Sequence, residues 1–211
     1  MMVAEVARQE AAKSALQRQL CLARRGRSML HPFTGRSARF EAWQHYPAND
    51  VMDRTGHWQF YFHAHDAGDT RHALEHGHIH LFRRDPAGRL SHLAGLSLDA
   101  RGLPLTWFAT NQWVTGERWM SARQLVPGLN DIQLRLRGPL SGVALWLTDL
   151  VRVYAAPLRD MLQARDEAMT RYCEQHQISR QAAWADRRVA VWSESPIHWP
   201  ADALQLQGAS F

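Results

Sequence analysis

Histidines are the residues of this sequence with the clearest capacity for chemistry. The chain has 12 of them, and seven fall within one short stretch. They include two His-x-His pairs, His63 with His65 and His76 with His78, and His80 continues the second pair. Alternate residues of a β-strand point to the same face of a sheet. Two such pairs on neighbouring strands would gather several imidazole nitrogens, which is what a divalent transition metal requires.

The spacing also predicts how these histidines face one another. If a hairpin loop spans residues 66–75, then His65 lies opposite His76 and His63 lies opposite His78. Directly opposed side chains in an antiparallel pair are about 4.5–5.5 Å apart at Cβ. The four imidazoles would then converge on one face of the hairpin. A metal ion could bind their nitrogens at about 2.0–2.1 Å.

We expect the hairpin to supply the metal ligands and its neighbours to supply the rest of the site. Nitrogen donors with a carboxylate suit Fe, Zn or Cu better than Mg or Ca. The candidate metal ligands are His63, His65, His76, His78 and Glu75. The candidate catalytic residues, which would act as acid/base groups or spare ligands, are His80, His92, Glu117 and Asn111. The candidates for cofactor or ligand binding are Gln59, Tyr61 and Trp113.

Two other interpretations of the same histidines stay open. They could form a metal-free acid/base or ligand-binding site, or a polar sheet face hydrogen-bonded to Tyr61 and Gln59. An unliganded cluster would suffer like-charge repulsion whenever it was protonated, which favours the metal site. Asp50 and Asp53 are expected to cap loops. The histidines expected to be structural are His31, His72, His176 and His198.

The elements that must position this site are strands. Four segments have strand-like composition, namely residues 57–65, 76–84, 90–99 and 105–111. Turn residues fill the short connections between them, which are too short for crossover helices, so an antiparallel meander is predicted. The face opposite the histidines is apolar. Helices are therefore expected to pack on that face.

Helical patterns flank the predicted sheet on both sides. Residues 3–24, 121–126 and 141–175 have helical patterns, and Pro157 is expected to kink or divide the last of these. The predicted fold class is α+β, with an antiparallel meander of about four or more strands. We expect an N-terminal helical extension over residues 1–29, one α+β domain over residues 30–176 and a C-terminal tail over residues 177–211. The end of this tail, which contains Pro196 and Pro200, is expected to be irregular.

Composition excludes several classes of function. Hydrophobic residues make up 45% of the chain and charged residues 21%, which is typical of globular proteins. The net charge of +5 comes from scattered arginines, because Lys13 is the only lysine, so nucleic acid is an improbable partner. No secretory signal or membrane-spanning run is evident, which favours a cytoplasmic protein that does not enter membranes. The N-terminal helix could mediate homo-oligomer formation.

Several motifs of this sequence resemble an uncharacterised bacterial family of unknown function. The matching segments are His45-Tyr-Pro, Asp50-Val-Met-Asp53, Phe62-His-Ala-His65, Glu75-His-Gly-His-Ile-His80, Ser91-His-Leu93 and Asn111-Gln-Trp-Val-Thr-Gly-Glu-Arg-Trp119. The resemblance covers residues 41–166 and implies no particular activity. The residues themselves favour a metal-dependent enzyme acting on a small molecule. The alternative is a non-enzymatic protein that binds a metal or haem for storage or sensing.

Overall fold

Six strands and eight helices make up the described part of the chain, which comprises residues 2–34, 40–65 and 73–208 of this computed structural model. The strands are β1 (Tyr46–Met52), β2 (Trp58–Ala64), β3 (Gly77–Arg84), β4 (Leu90–Leu98), β5 (Pro104–Thr110) and β6 (Val191–Pro196). The helices are α1 (Met2–Ala23), α2 (His31–Thr34), α3 (Gln112–Thr115), α4 (Ala122–Asp131), α5 (Ser141–Val153), α6 (Ala155–His176), α7 (Arg180–Ala185) and α8 (Ala201–Leu206).

The strands form one sheet in the order β1-β2-β3-β4-β5-β6, and each neighbouring pair is antiparallel. The predicted α+β class and the meander are thus confirmed. The four predicted strands correspond to β2, β3, β4 and β5, and their ends agree to within one residue. Short turns connect β3 to β4 and β4 to β5, as the Gly and Asp residues of these two loops predict.

The two edge strands were not predicted from the sequence. β1 has the sequence YPANDVM, in which Pro47 and a register shift between Tyr46 and Val51 interrupt the alternation expected of a strand. Such residues are tolerated at a sheet edge, where the outer backbone groups need no partner strand. β6 pairs with β5 and lies in the segment expected to be an irregular tail. That expectation of an irregular end is wrong for residues 191–196.

One apolar core joins the sheet to the helices. Phe60, Ile79 and Leu96 are fully buried on the sheet face opposite the histidines, and they belong to the same core as Trp146 and Leu147 of α5. The alanines of α1 that enter this core are Ala11, Ala12 and Ala15. The core face therefore carries no candidate site residue from the two histidine strands. The opposite face carries the histidines of β2 and β3.

The long C-terminal helical segment divides earlier than predicted. Its break lies at Tyr154, between α5 and α6, and Pro157 lies in the first turn of α6. Proline is well accommodated there because the first backbone N–H groups of a helix have no partner within the helix. Among the described helices, none combines the length and the apolar character needed to cross a bilayer.

Candidate metal centre

The register of the β2–β3 hairpin agrees with the one predicted from the sequence spacing. His63 is paired with His78 and Tyr61 with His80. The backbone N–H of His65 donates to the carbonyl oxygen of His76 over 3.3 Å, which continues the ladder past the ends of both strands. The predicted opposition of His63 with His78 and of His65 with His76 is therefore confirmed at the backbone.

Three imidazoles meet on this hairpin. Nε2 of His63 lies 2.5 Å from Nε2 of His78, and Nε2 of His65 lies 3.2 Å from Nδ1 of His78. Each of these three residues offers a nitrogen within 4.8 Å of the nitrogens of the other two, so the group can hold a metal ion. His78 is buried, whereas His63 and His65 are partly exposed. The triad thus has a buried base and a side that reaches solvent.

Glu75 fixes the orientation of the central imidazole. Its Oε1 lies 2.6 Å from Nδ1 of His78, and the Glu75 side chain is buried. A carboxylate can only accept a hydrogen bond, so Nδ1 of His78 donates and Nε2 keeps its lone pair. This is the arrangement by which carboxylates orient histidine ligands in metalloproteins. Nε2 of His78 therefore points its lone pair toward His63.

A chain of imidazoles continues from His78 along the sheet. Nε2 of His80 lies 3.0 Å from Nε2 of His78, and Nδ1 of His80 lies 2.9 Å from Nε2 of His92. The chain ends at Thr110, whose Oγ1 lies 3.1 Å from Nδ1 of His92. Both His80 and His92 thus join the cluster, although their assigned catalytic roles stay predictions.

A β-bulge brings His92 to this face. In the β3–β4 ladder Leu81 pairs with Ala94 but Phe82 pairs with His92, so Leu93 is the extra residue. Leu93 and Ala94 both enter the core, and the alternation then restarts with His92 on the side of Phe82. The sequence alone did not show this bulge. In a strand without a bulge, His92 would lie on the same face as Ala94, which is the core face.

Two glycines allow the close packing beneath the histidines. A Cβ at Gly95 would lie 2.0 Å from Cζ of Phe108, whose ring is packed 4.9 Å from the ring of His78 between centroids. A Cβ at Gly77 would lie 2.3 Å from the carbonyl oxygen of His63. Neither position has room for a side chain. Both glycines therefore keep the strands and the Phe108 ring close to the imidazoles.

A second polar group, which borders the cluster, was not assigned to the site from the sequence. The His45 ring is stacked on Tyr61 at 3.7 Å between centroids, and its Nδ1 lies 2.9 Å from Oδ1 of Asp50. Asp50 also accepts from Nε2 of Gln59 at 2.8 Å. Recognising this group required β1, which was not predicted. The capping role expected for Asp53 does hold, since it accepts from the backbone N–H groups of three residues, Thr55, His57 and Trp58.

Trp43 shields the open side of the triad. Its ring lies 4.7 Å from that of His65 and 5.9 Å from that of His63, between centroids. The side chain is 53% exposed and the backbone has a φ of 65°, an unusual value for a residue with a Cβ. Strained backbone of this kind is often found at functional sites. Trp43 is therefore a further site residue that the sequence pattern did not indicate.

The electrostatics of the cluster keep the imidazole of His63 neutral. Burial, followed by the neighbouring His78, His65 and His45, lowers the pKa of His63 from 6.5 to about 2. Burial and the nearby carboxylates of Glu117 and Asp50 raise the pKa of Tyr61. A neutral imidazole is the form that binds a metal. The site therefore offers its nitrogens as ligands without first losing protons from His63.

His76 does not share the face of the other histidines, so that prediction is wrong. Its ring lies 5.7 Å from Phe40 and 6.5 Å from Phe62 between centroids, and it lines an apolar cavity of about 940 Å³ beside α1. β3 begins only at Gly77, and strict alternation does not extend to the two residues before it. Glu75 points to the histidine face instead.

Asn111 and Trp113 are directed away from the cluster. Nδ2 of Asn111 donates to the carbonyl oxygens of three residues, Ala183, Asp186 and Val189, and its Oδ1 accepts from the backbone of α3. Nε1 of Trp113 also donates to the Val189 carbonyl. Both side chains therefore fasten the 111–116 loop to the chain around α7. The structure does not bring them to the metal-binding nitrogens.

Glu117 lies closer to the site than these two residues. It lines a small cavity with His92 and Thr110, and its Oε2 is buried without a hydrogen-bond partner among the described residues. Burial is the main cause that raises its pKa, and the negative charge of Asp50 adds to the effect. Glu117 is thus a neighbour of the imidazole chain and not a member of it.

Two histidines of the same stretch are not part of the cluster described above. His57 is exposed just before β2, and His72 lies outside the described residues.

Fold and site together define an α+β protein whose meander sheet carries helices on one face and a histidine cluster that can hold a metal on the other. The chain belongs to the family described as the domain of unknown function DUF6969, whose model matches residues 9–197. This confirms that the family is an uncharacterised one. Comparisons with curated proteins and with solved structures gave no match.

Proposed function

We propose that this protein is a metal-dependent enzyme in which His63, His65 and His78 hold a divalent transition metal. The observation that supports this most is the convergence of three imidazoles with Nδ1 of His78 held by the buried Glu75. The carboxylate on Nδ1 leaves the Nε2 lone pair of His78 directed at His63. Histidine metal ligands regularly have such a partner, which sets the tautomer and raises the basicity of the ligand.

The donor set favours Zn, Cu or Fe. Imidazole nitrogens bind these ions well, whereas Mg and Ca prefer oxygen donors. A bound ion of this kind lowers the pKa of a coordinated water or polarises a carbonyl or phosphoryl oxygen. Three protein ligands leave a coordination position open, which is typical of catalytic sites. The partial exposure of His63 and His65 places that open side toward solvent.

The groups around the open side are suited to a small polar substrate. His45 and Asp50 form a hydrogen-bonded pair, and the stacked Tyr61 hydroxyl is kept protonated by its raised pKa. Tyr61 can therefore donate a hydrogen bond to a substrate oxygen. Glu117 is a candidate proton donor, because burial favours its neutral form.

A non-enzymatic metal-binding protein for storage or sensing is the second candidate. The observation in its favour is the number of imidazoles, since His80 and His92 exceed what one catalytic ion needs. The two candidates differ in the coordination shell. A site for storage would be closed by protein ligands, whereas a catalytic site would accept an external ligand.

Metal analysis of protein purified without a histidine tag tests the proposal. We expect about one equivalent or more of metal after supplementation with Zn, Cu or Fe salts. The H63A/H65A double variant should bind the metal at least about tenfold more weakly. The matched variant H198A should bind as the unmodified protein does, because His198 is exposed and does not belong to the histidine cluster. Less than about a tenth of an equivalent under every supplement would refute the proposal.

A cobalt-substituted sample separates the enzyme from the storage protein. Azide is a small anion that can occupy an open coordination position. If the site is catalytic, azide should shift the visible absorption bands of bound Co²⁺ in a saturable way. A spectrum that azide leaves unchanged would favour a closed shell, and with it the storage candidate.

A further inference from the structure

His78 has a possible ligand at each of its two ring nitrogens. On the Nε2 side lie Nε2 of His63 at 2.5 Å and Nε2 of His80 at 3.0 Å. On the Nδ1 side lie Oε1 of Glu75 at 2.6 Å and Nε2 of His65 at 3.2 Å. A single ion uses only one nitrogen of an imidazole. An ion bound at Nε2 therefore leaves the Nδ1 side with two donors, Glu75 and His65, that could bind a second ion directly.

We infer that the cluster is a two-metal centre in which the imidazole ring of His78 bridges the ions. This inference rests on the proposed function and adds a second ion to it. The first position has three nitrogen donors, which are Nε2 of His63, His78 and His80. The second position has Nε2 of His65, Nδ1 of His78 and Oε1 of Glu75. In the two-ion form, His80 replaces His65 as a ligand of the first ion.

The observed separations suit this assignment. Two ligands bound at 2.0–2.1 Å in tetrahedral geometry are about 3.3 Å apart. The separations of His78 from His80 and from His65, 3.0 Å and 3.2 Å, are close to that value. The contacts of His78 with His63 and Glu75 must each widen by less than about 1 Å. The ions on the two sides of one ring would be about 6 Å apart.

The proton and charge balance is also favourable. Neutral His78 carries one ring proton, on Nδ1, which it donates to Glu75. The second ion takes the place of this proton, a bond forms between the ion and Nδ1, and the proton leaves to solvent. The resulting imidazolate and the Glu75 carboxylate together offset two of the four positive charges of two divalent ions. Nitrogen-rich positions of this kind suit Cu²⁺ and Zn²⁺.

His92 supports the first position from outside. Its Nε2 lies 2.9 Å from Nδ1 of His80, so it can accept a hydrogen bond from that nitrogen while Nε2 of His80 binds the ion. Thr110 in turn contacts Nδ1 of His92 through its hydroxyl oxygen. This is the same kind of outer support that Glu75 gives His78 when only one ion is bound. In the two-metal centre, His80 is thus a ligand of the first ion, and His92 and Thr110 hold the His80 ring in position.

Copper titration of tag-free, metal-free full-length protein tests the inference. We expect two Cu²⁺ per chain. The electron paramagnetic resonance signal should grow with the first equivalent and weaken with the second, because a bridging imidazolate couples the two spins antiferromagnetically. The E75Q variant keeps an acceptor for the His78 N–H but loses the carboxylate. It should bind the second ion about 10- to 100-fold more weakly than the unmodified protein does, and any loss for the first ion should be smaller than this.

The possible outcomes are distinct. H198A serves as the matched control and should bind two coupled ions, and thermal melting confirms that each variant is folded. One Cu²⁺ per chain, two ions with additive uncoupled signals, or a second ion that E75Q binds as tightly as the unmodified protein would each overturn the two-metal centre while leaving the proposed function intact. Binding of no metal at all would refute both.

Discussion

Acidification of the metal-free protein tests the electrostatic account of the histidine cluster. His63 has a pKa of about 2 in the folded protein and 6.5 when unperturbed, because burial and three neighbouring histidines oppose its protonation. Below pH 6.5 the unfolded chain therefore binds a proton at His63 that the folded protein does not bind. The unfolded state is stabilised as the pH falls. Folding stability is thus complete above pH 6.5 and is lost progressively below it.

The expected size of this effect follows from the two pKa values. Each pH unit between 6.5 and 2 costs 1.36 kcal/mol for one proton. Lowering the pH from 7 to 5 should therefore remove about 2 kcal/mol of stability through His63 alone. Glutamine does not titrate, so the H63Q variant should lose about 2 kcal/mol less over the same range than the unmodified protein.

Urea unfolding at pH 7, 6 and 5, with a chelator present, measures this difference. The free energy of unfolding is extrapolated to zero urea at each pH. The exposed His198 supplies the control, since H198Q should follow the unmodified protein at every pH. If H63Q and the unmodified protein lose stability in parallel, the pKa of His63 is not depressed and the cluster does not keep that imidazole neutral.

Three further predictions concern residues that hold the site together. N111A should lower the free energy of unfolding by about 1–3 kcal/mol in urea titrations and leave metal affinity unchanged, because it deprives buried carbonyl groups of their donor; a loss of metal binding at full stability would contradict this. G95A should lower the free energy of unfolding by about 1–3 kcal/mol, since its Cβ would overlap the Phe108 ring. G142A is the control, because Gly142 is helical with open space around it, and this substitution should be neutral or stabilising. Equal effects of the two substitutions would count against the packing argument. D53A should cost about 1–3 kcal/mol without changing metal stoichiometry, because Asp53 accepts several hydrogen bonds within its own turn; a change in stoichiometry on inductively coupled plasma analysis would show that the turn contributes to the site.

The central hairpin could be predicted from the sequence because its information is local. Strand alternation separates Phe60 and Phe62 from Tyr61 and His63, and short turns restrict the topology to a meander. The opposition of His63 with His78 follows from these two facts. Edge strands have no such signature. β1 and β6 carry prolines and polar residues on their exposed sides, and only their pairing with β2 and β5 makes them strands.

Parts of the site were not predictable because they depend on local departures from regular geometry. The switch that sends Glu75 to the histidine face and His76 to the core side occurs just before β3 begins. The bulge at Leu93 aligns His92 with His80. Sequence periodicity assumes regular strands, so both features lie outside its reach. His45 and Trp43 were missed for a related reason, since β1 and the chain leading into it set their positions.

Anomalous X-ray diffraction from crystals of tag-free protein, loaded with one equivalent of Zn²⁺, Cu²⁺ or Fe²⁺, is the most direct test of the metal centre. The account predicts a peak at the absorption edge of the supplied metal, with nitrogens of His63, His65 and His78 about 2.0–2.1 Å away. A structure of the loaded protein with no anomalous peak at the histidine face, or with peaks only at exposed histidines such as His198, would contradict it.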